Sequence, residues 1–194
     1  MHFTLTPSGS GDWKRSQRLK AEQTDAALGT SVSKIASLLD PDHPGLTSNQ
    51  IHLLQHVSLD EPATAVLRTV LGPLGLMEAP AWTDQARWER QWAGLLKGMS
   101  ICAGLHAVSV SLGEALARTN WPSDRFTSMI EASPTQMLTY VEWAARDLES
   151  ARQPANWDDV RRLIFKRGEH LRQIRRQITN DYFRTIYAIQ RKRS

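Results

Sequence analysis

The chain of 194 residues has one cysteine, Cys102. No disulfide framework can hold it together, and a lone thiol suits a reducing compartment. Long hydrophobic runs are missing as well. The nearest to one, Trp92 to Gly113, contains Lys97, His106 and several Ser and Gly residues. A charge at mid-membrane costs about 2.5–3.5 kcal/mol on insertion scales, so this stretch reads as a buried core helix and no membrane span is expected. Met1 to Asp12 is polar and rich in Gly and Ser, with no apolar segment to direct export. A cytoplasmic location is the expectation. No repeated alternation of Val, Ile, Thr and aromatics marks a strand. No Ser sits in Gly-x-Ser-x-Gly. The Gly9-Ser10-Gly11 stretch has neither a strand before it nor Lys-Ser/Thr after it, which excludes a phosphate-cradling loop. What the chain does contain, 41% apolar and 23% charged residues, excludes wholesale disorder.

Helical spacing fills the space left by the missing strands, and the chain reads as all-α, with eight or nine helices in two small bundles. Residues 1–12 read as a flexible tail, 13–80 as an N-terminal helical bundle and 81–194 as a C-terminal bundle with basic final helices. A first helix is expected from Trp13 to Leu28 and a second from Ser33 to Leu39, before the breaker Asp40-Pro41-Asp42-His43-Pro44-Gly45. Thr47 and Gln50 form a capping-box pattern ahead of Ile51, Leu54 and Val57. Pro62 sits where a helix carrying Val66, Leu67, Val70 and Leu71 can begin, and Gly72-Pro73-Leu74-Gly75 stops it. Thr83 is placed to cap a long helix whose stripe is Trp88, Trp92, Leu95, Leu96 and Met99. Pro122 opens a short helix with Phe126, Met129 and Ile130. Ser133-Pro134 caps the next, which turns Met137, Leu138, Val141, Ala145 and Leu148 inward. Asn156 starts a long C-terminal segment with Val160, Leu163, Ile164, Leu171, Ile174, Ile178, Ile186 and Ile189 on its buried face, kinked or split at Gly168.

Few residues suggest catalysis. Cys102, between Ile101 and Ala103, reads as a small buried hydrophobe. His52 and His56 stand four apart, a zinc-ligand spacing, but no Glu adjoins His52, and the nearest further histidine, His43, lies across a Pro-rich turn. No catalytic residue, metal or cofactor is assigned. The paired acids Asp60-Glu61 and Asp158-Asp159 stand at helix starts, where the dipole favours them. The seven tryptophans (13, 82, 88, 92, 121, 143 and 157) could stack bases, though Trp88 and Trp92 share a face with Leu95 and Met99 and belong to a core.

Net charge is +4, too little to name a partner. Its distribution says more. Residues 1–150 hold 12 Lys/Arg against 16 Asp/Glu, whereas residues 151–194 hold 12 against 4. Within the basic segment Arg162, Lys166, Arg172 and Arg176 recur at helical spacing, flanked by Arg161 and Arg175. They read as a cationic outer stripe, able to follow a phosphate backbone without reading sequence.

From Trp82 onward the motifs come in a familiar order. Leu95-Leu96-Lys97-Gly98-Met99 is followed by Val110-Ser111-Leu112-Gly113-Glu114-Ala115-Leu116-Ala117. Asp124-Arg125-Phe126 comes next, with Met129-Ile130-Glu131-Ala132. Asn156-Trp157, Val160-Arg161-Arg162-Leu163 and a basic last helix with Asp181-Tyr182-Phe183 close the series. Upstream, Gln55-His56-Val57-Ser58 and Ala65-Val66-Leu67-Arg68 match more weakly. Over about residues 50–185 the chain resembles the CasB family, the small subunit of the type I-E Cascade complex in CRISPR antiviral defence. The resemblance implies a two-bundle helical protein without catalytic activity. Its implied partners are the guide RNA, the target and displaced DNA strands, the backbone and large subunits, and a second copy of itself. It points to Arg68, Lys97, Arg125 and Arg162 as nucleic-acid contacts, to which the stripe adds Arg161, Lys166, Arg172, Arg175 and Arg176. Their expected work is to stabilise the R-loop, with specificity left to base pairing.

Three positions depart from that pattern. Gln55-His56 stands where relatives carry two Arg, Glu114 where several carry Arg, and Val141-Glu142 where a basic pair is frequent. Weaker grip in the N-terminal half, or more reliance on protein neighbours, is the expected consequence. Residues 1–45 have no counterpart. Two other classes compete. One is a helix-turn-helix regulator, against which Lys166-Arg167-Gly168-Glu169 reads as running straight back into helical spacing. The other is a metal-dependent enzyme using His52 and His56.

Overall fold

Five helix starts in this chain are set by side chains that capture the first free backbone N–H groups. The computed structural model describes residues 25–42, 45–62 and 64–193. Among them are nine helical segments: α1 (residues 25–38), α2 (Ser48–Gln55), α3 (Thr64–Leu71), α4 (Gln85–Ile101), α5 (Leu112–Arg118), α6 (Ser123–Glu131), α7 (Pro134–Ser150), α8 (Trp157–Phe165) and α9 (Gly168–Arg193). The described residues contain no strand, only one bridged pair, His106 with Ala155. The architecture is all-α, as the periodicity requires. The tail over 1–12, the start of the first helix at Trp13, and His43 lie outside the described residues.

The expected capping box at Thr47 forms, and Ser133, expected as a cap, forms a second one. Thr47 takes the Gln50 N–H, Ser133 takes that of Gln136, and each glutamine returns a side-chain oxygen to the cap. Asn156 caps α8. Three expectations need correction. The cap of α4 is Asp84, not Thr83: the Asp84 carboxylate accepts from Arg87 N at 2.8 Å. No gap separates Leu28 from Ser33; α1 continues through Gly29, because Leu28, Val32 and Ile35 bury one uninterrupted face. The apolar stretch Trp92–Gly113 is not a single helix. α4 ends at Ile101, Gly104 turns with φ +76°, and α5 starts after Ser111. The intervening backbone finds partners elsewhere. Ala107 N donates to Ala155 O and Ala155 N to Leu105 O, both at 3.1 Å, while Asn156 N donates to Val110 O at 2.7 Å.

α4 lies deepest. Its Trp88, Trp92, Leu95, Leu96 and Met99 are buried, and so are Gly94 and Gly98. A Cβ on Gly94 would come within 2.7 Å of Leu138, and one on Gly98 within 2.8 Å of Trp157, so these two glycines set how closely α7 and α8 approach. Trp88 and Trp92 meet Phe165 at ring-centroid distances of 5.2 and 5.0 Å. α5 packs most extensively on α9, with α2 and α3 against α4. Buried residues from α1 to α9 form one continuous apolar cluster. Among the described residues no helix is long and apolar enough to cross a membrane.

Cys102 closes α4 in this core. Its Sγ donates to Ala145 O at 3.0 Å, and burial, reinforced by the Glu149 carboxylate, pushes the thiol up to about 12. The thiolate is the reactive form. Native protein should therefore resist a thiol-exchanging disulfide reagent at pH 8 and take up one equivalent in guanidinium. Rapid labelling of native protein would contradict this environment.

Candidate nucleic-acid interface

The basic C-terminal segment divides where Gly168 stands. Lys166 leaves α8 with an extended ψ of 157°, and Gly168 opens α9 with φ +55°. This two-residue turn is the split expected at Gly168, and it corrects only the reading that Lys166-Arg167-Gly168-Glu169 runs straight back into helical spacing. It also sorts the expected cationic stripe into two unlike groups.

The α8 group faces inward. Arg161 is 1% exposed, with Nη1 2.7 Å from Asp25 Oδ1 and Nε 2.6 Å from Asp158 Oδ1. Lys166 Nζ lies 3.0 Å from the same Asp25 oxygen, and Arg162 Nε lies 3.6 Å from Asp158 Oδ2. Arg161 and Lys166 tie α8 to α1, while Arg162 pairs within α8 itself. Arg161 is therefore a core residue, its position dictated by a carboxylate far away in sequence. Burial raises the Asp25 pKa, but hydrogen bonds from Arg161 and Lys166 outweigh it and hold the carboxyl below its ordinary value. Asp159, expected merely to favour its own helix dipole, is buried and accepts the Leu112 N–H at 3.0 Å, so it satisfies the first turn of α5. Burial raises its pKa, only partly countered by that bond.

The α9 group is split again. Arg175 is half-buried and donates through Nη2 to Ala132 O, at the end of α6, at 2.8 Å. Arg172 and Arg176 are exposed, and Arg172 pairs with Glu169 one turn away. The stripe continues beyond the expected residues. Arg184 and Arg191 are exposed as well, and Gln173, Gln177 and Asn180 lie between Arg172 and Arg184. Arg184 pairs with Asp181. Residues 168–193 hold seven Lys/Arg and two acids. The spacing that singled out Arg172 and Arg176 already pointed to Arg184, two further steps of four along the helix.

The remaining expected contacts are scattered over other helices. Lys97 is mostly covered and pairs with Glu142 at 2.9 Å; Glu142 also takes Arg146 at 2.8 Å. Thus Glu142, one of the departures from the family pattern, neutralises a residue the resemblance had offered to nucleic acid. Burial raises the Glu142 pKa, but hydrogen bonds from Lys97 and Arg146 outweigh it and hold the carboxyl down. Arg125 is exposed over two indoles, 5.7 Å from the Trp121 centroid and 5.9 Å from that of Trp143, with Asp147 at 3.5 Å. Arg68 is exposed on α3 and has no carboxylate partner among the described residues. Of the other departures, Gln55 donates to Ser100 O at 2.9 Å and holds α2 to α4, while Glu114 pairs with Arg118.

Trp88, Trp92, Trp121 and Trp157 are buried and cannot stack bases from solvent; Trp82 and Trp143 are half exposed. The His52 and His56 rings stand 4.3 Å apart on the exposed side of α2. Among the described residues no cluster of three or more His, Cys, Asp or Glu could hold a metal.

Compared with protein-family models, with curated proteins and with solved structures, the chain matches none.

Proposed function

We propose that the chain is a non-catalytic, backbone-binding helical subunit of an RNA-guided DNA-binding complex, of the kind its CasB-like motifs suggest. In that setting its neighbours would be guide RNA, the target and displaced strands, the backbone and large subunits, and a second copy of itself. The observation that carries the reading is the outer side of α9. A single 26-residue helix is about 39 Å long. It presents Arg172, Arg176, Arg184 and Arg191 with three amide side chains between them. Guanidinium forks and amides are the groups that hold phosphate oxygens and sugars without reading sequence.

The exposed cations of α9, rather than Arg161, Arg162 and Lys166, are the side chains to remove. Single-strand binding by Arg176→Ala/Arg184→Ala/Arg191→Ala should weaken. Its slope of log affinity against log salt should be shallower by about 2, since each lost phosphate contact removes about 0.7 on a single strand. Unchanged affinity and slope would sink the assignment. The two-residue turn between α8 and α9 keeps one second reading in view, a helix-turn-helix regulator with α9 as its reader. Binding confined to one duplex sequence, with no RNA required, would favour it. Copurification of guide RNA and helical partner subunits with the tagged chain would favour the first.

A further inference from the structure

The first turns of α4 and α7 open on a shared groove of about 370 Å³, lined among others by Asp84, Arg87, Arg90, Gln91, Thr135 and Leu138. Both helices are 17 residues long, and the N-terminal end of each carries partial positive charge. Arg87 and Arg90 add two guanidinium groups. A third stands beside them: Arg167 Nη1 donates to Ile164 O at 2.8 Å, the carbonyl that also accepts from Gln91 Nε2 at 2.9 Å. Burial, then repulsion from Arg87, lowers the Arg167 pKa. Among the described residues these three arginines have no carboxylate partner, whereas Lys97, Arg118, Arg146, Arg161, Lys166 and Arg184 all do. The one acid lining the groove, Asp84, is committed to capping α4.

Like charges gathered without counter-charge cost stability unless something else uses them. Polar atoms with nothing to bond sit on two of these arginines and on Gln91. Arg90 Nε, Arg167 Nη2 and Gln91 Oε1 are all buried and without a hydrogen-bond partner, and Gln91 is only 3% exposed. Such orphans are rare in native interiors. Two are donors and match an anion. The third is an acceptor, its amide oriented by the bond to Ile164, and it calls for a hydroxyl proton. Sulfate brings acceptor oxygens only. A phosphorylated sugar brings both the anion and the hydroxyl.

We propose that this groove binds the phosphate of a nucleotide unit, with Arg87 and Arg90 gripping the phosphate and Gln91 accepting from a neighbouring hydroxyl. The site uses none of the exposed α9 residues, so it stands or falls apart from the backbone-binding role of that helix. The ligand is either a free nucleotide or the phosphorylated end of a strand, and the two are separable.

Calorimetric titration of the full chain with a nucleoside 5′-monophosphate, inorganic phosphate and sulfate tests the proposal. The nucleotide should bind, and sulfate should bind about tenfold more weakly or worse. Arg87→Ala/Arg90→Ala, at positions that are not buried, should retain its thermal transition and lose about tenfold or more in nucleotide affinity, as expected for two charge-assisted contacts. Arg176→Ala/Arg184→Ala/Arg191→Ala should bind the nucleotide as wild type does. Gln91→Met should erase the preference over sulfate. A short single strand with a 5′-phosphate that outcompetes its 5′-hydroxyl twin, dependent on Arg87 and Arg90, would assign the site to a strand end; equal competition would assign it to the free nucleotide. No nucleotide binding by wild type at millimolar concentration, or unchanged binding by the double variant, would overturn the proposal.

Discussion

Gly113→Ala should lower the melting temperature by about 6 to 12 °C. The figure follows from an overpacking cost of about 3 kcal/mol and a response of about 2–4 °C per kcal/mol for a chain of this size. The reason is geometric. A Cβ at residue 113 would lie 2.1 Å from Ile178 O and 2.9 Å from Tyr182 N, both main-chain atoms of α9. A side chain can rotate away; a helix backbone can yield only by moving the helix. α5 against α9 is also the most extensive pairing among helices α2 to α9, so displacement there spreads. Tyr182 is fully buried, donates to Trp121 O at 2.5 Å and stacks on Phe126 at 3.8 Å. Any shift of α9 at this level disturbs both contacts.

Gly168→Ala supplies the comparison. That glycine has φ +55°, and a methyl group there would meet nothing within 4 Å, so its replacement costs only backbone strain, about 1–2 kcal/mol. Thermal unfolding followed by circular dichroism should rank Gly113→Ala well below Gly168→Ala. If the two variants melt together, the close approach of α5 to α9 is not what the glycine secures. Gly113 lies in the Leu112–Ala117 block that carries part of the family resemblance, and it has a packing role that needs no ligand.

How much of this was legible beforehand depended on how far each cause lay along the chain. Thr47, Ser133 and Asn156 announced their helices because a cap acts on N–H groups two or three residues away. The Trp88-to-Met99 stripe announced a buried face because burial follows a local period. The break after Ile101 was not legible, since its backbone is satisfied by Ala155 and Asn156, more than 40 residues on. Arg161 read as surface because its partner Asp25 is 136 residues earlier. Asp159 read as serving its own helix and instead serves one that starts 47 residues before it. Arg87, Arg90 and Arg167 carried no signal, because nothing local says that α4, α7 and the α8–α9 turn converge. The charge imbalance between the two parts of the chain was real, but only position in the fold separates an exposed cation from one buried against a carboxylate.

Asp25→Asn/Asp158→Asn should be the most damaging polar change in the protein, costing about 3 kcal/mol, the lower end expected when a buried ion pair loses one side. Arg161 is 1% exposed on its side chain, while Asp25 and Asp158 are 25% and 29% exposed. Neutralising both acids leaves a buried guanidinium without counter-charge and beyond the reach of water. Removing the arginine instead, as Arg161→Met, leaves two carboxylates that solvent still touches and that Lys166 and Arg162 still face. The methionine fills the space with apolar atoms, and about 1–2 kcal/mol is expected from what remains. The ranking therefore reverses the intuition that losing the shared cation is worst. Urea unfolding at neutral pH decides it. Equal losses would mean that the guanidinium is better hydrated than its burial indicates.

The same pair of variants predicts a pH dependence. The Asp25 carboxyl is held below its ordinary pKa, because hydrogen bonds from Arg161 and Lys166 outweigh the burial that raises it. A depressed folded value means that the stabilisation is complete above the unfolded value, about 3.9. It drains away as pH falls through the lower, folded value. Asp159 has the opposite sign: its pKa is raised, chiefly by burial, so its charge costs stability at neutral pH and protonation relieves that cost on acidification. Wild type should lose the Asp25 contribution below about pH 4, whereas Asp25→Asn/Asp158→Asn, already without it, should show a flatter stability profile over that range. Parallel profiles for the two proteins would mean that Arg161 does not hold the Asp25 carboxylate ionised.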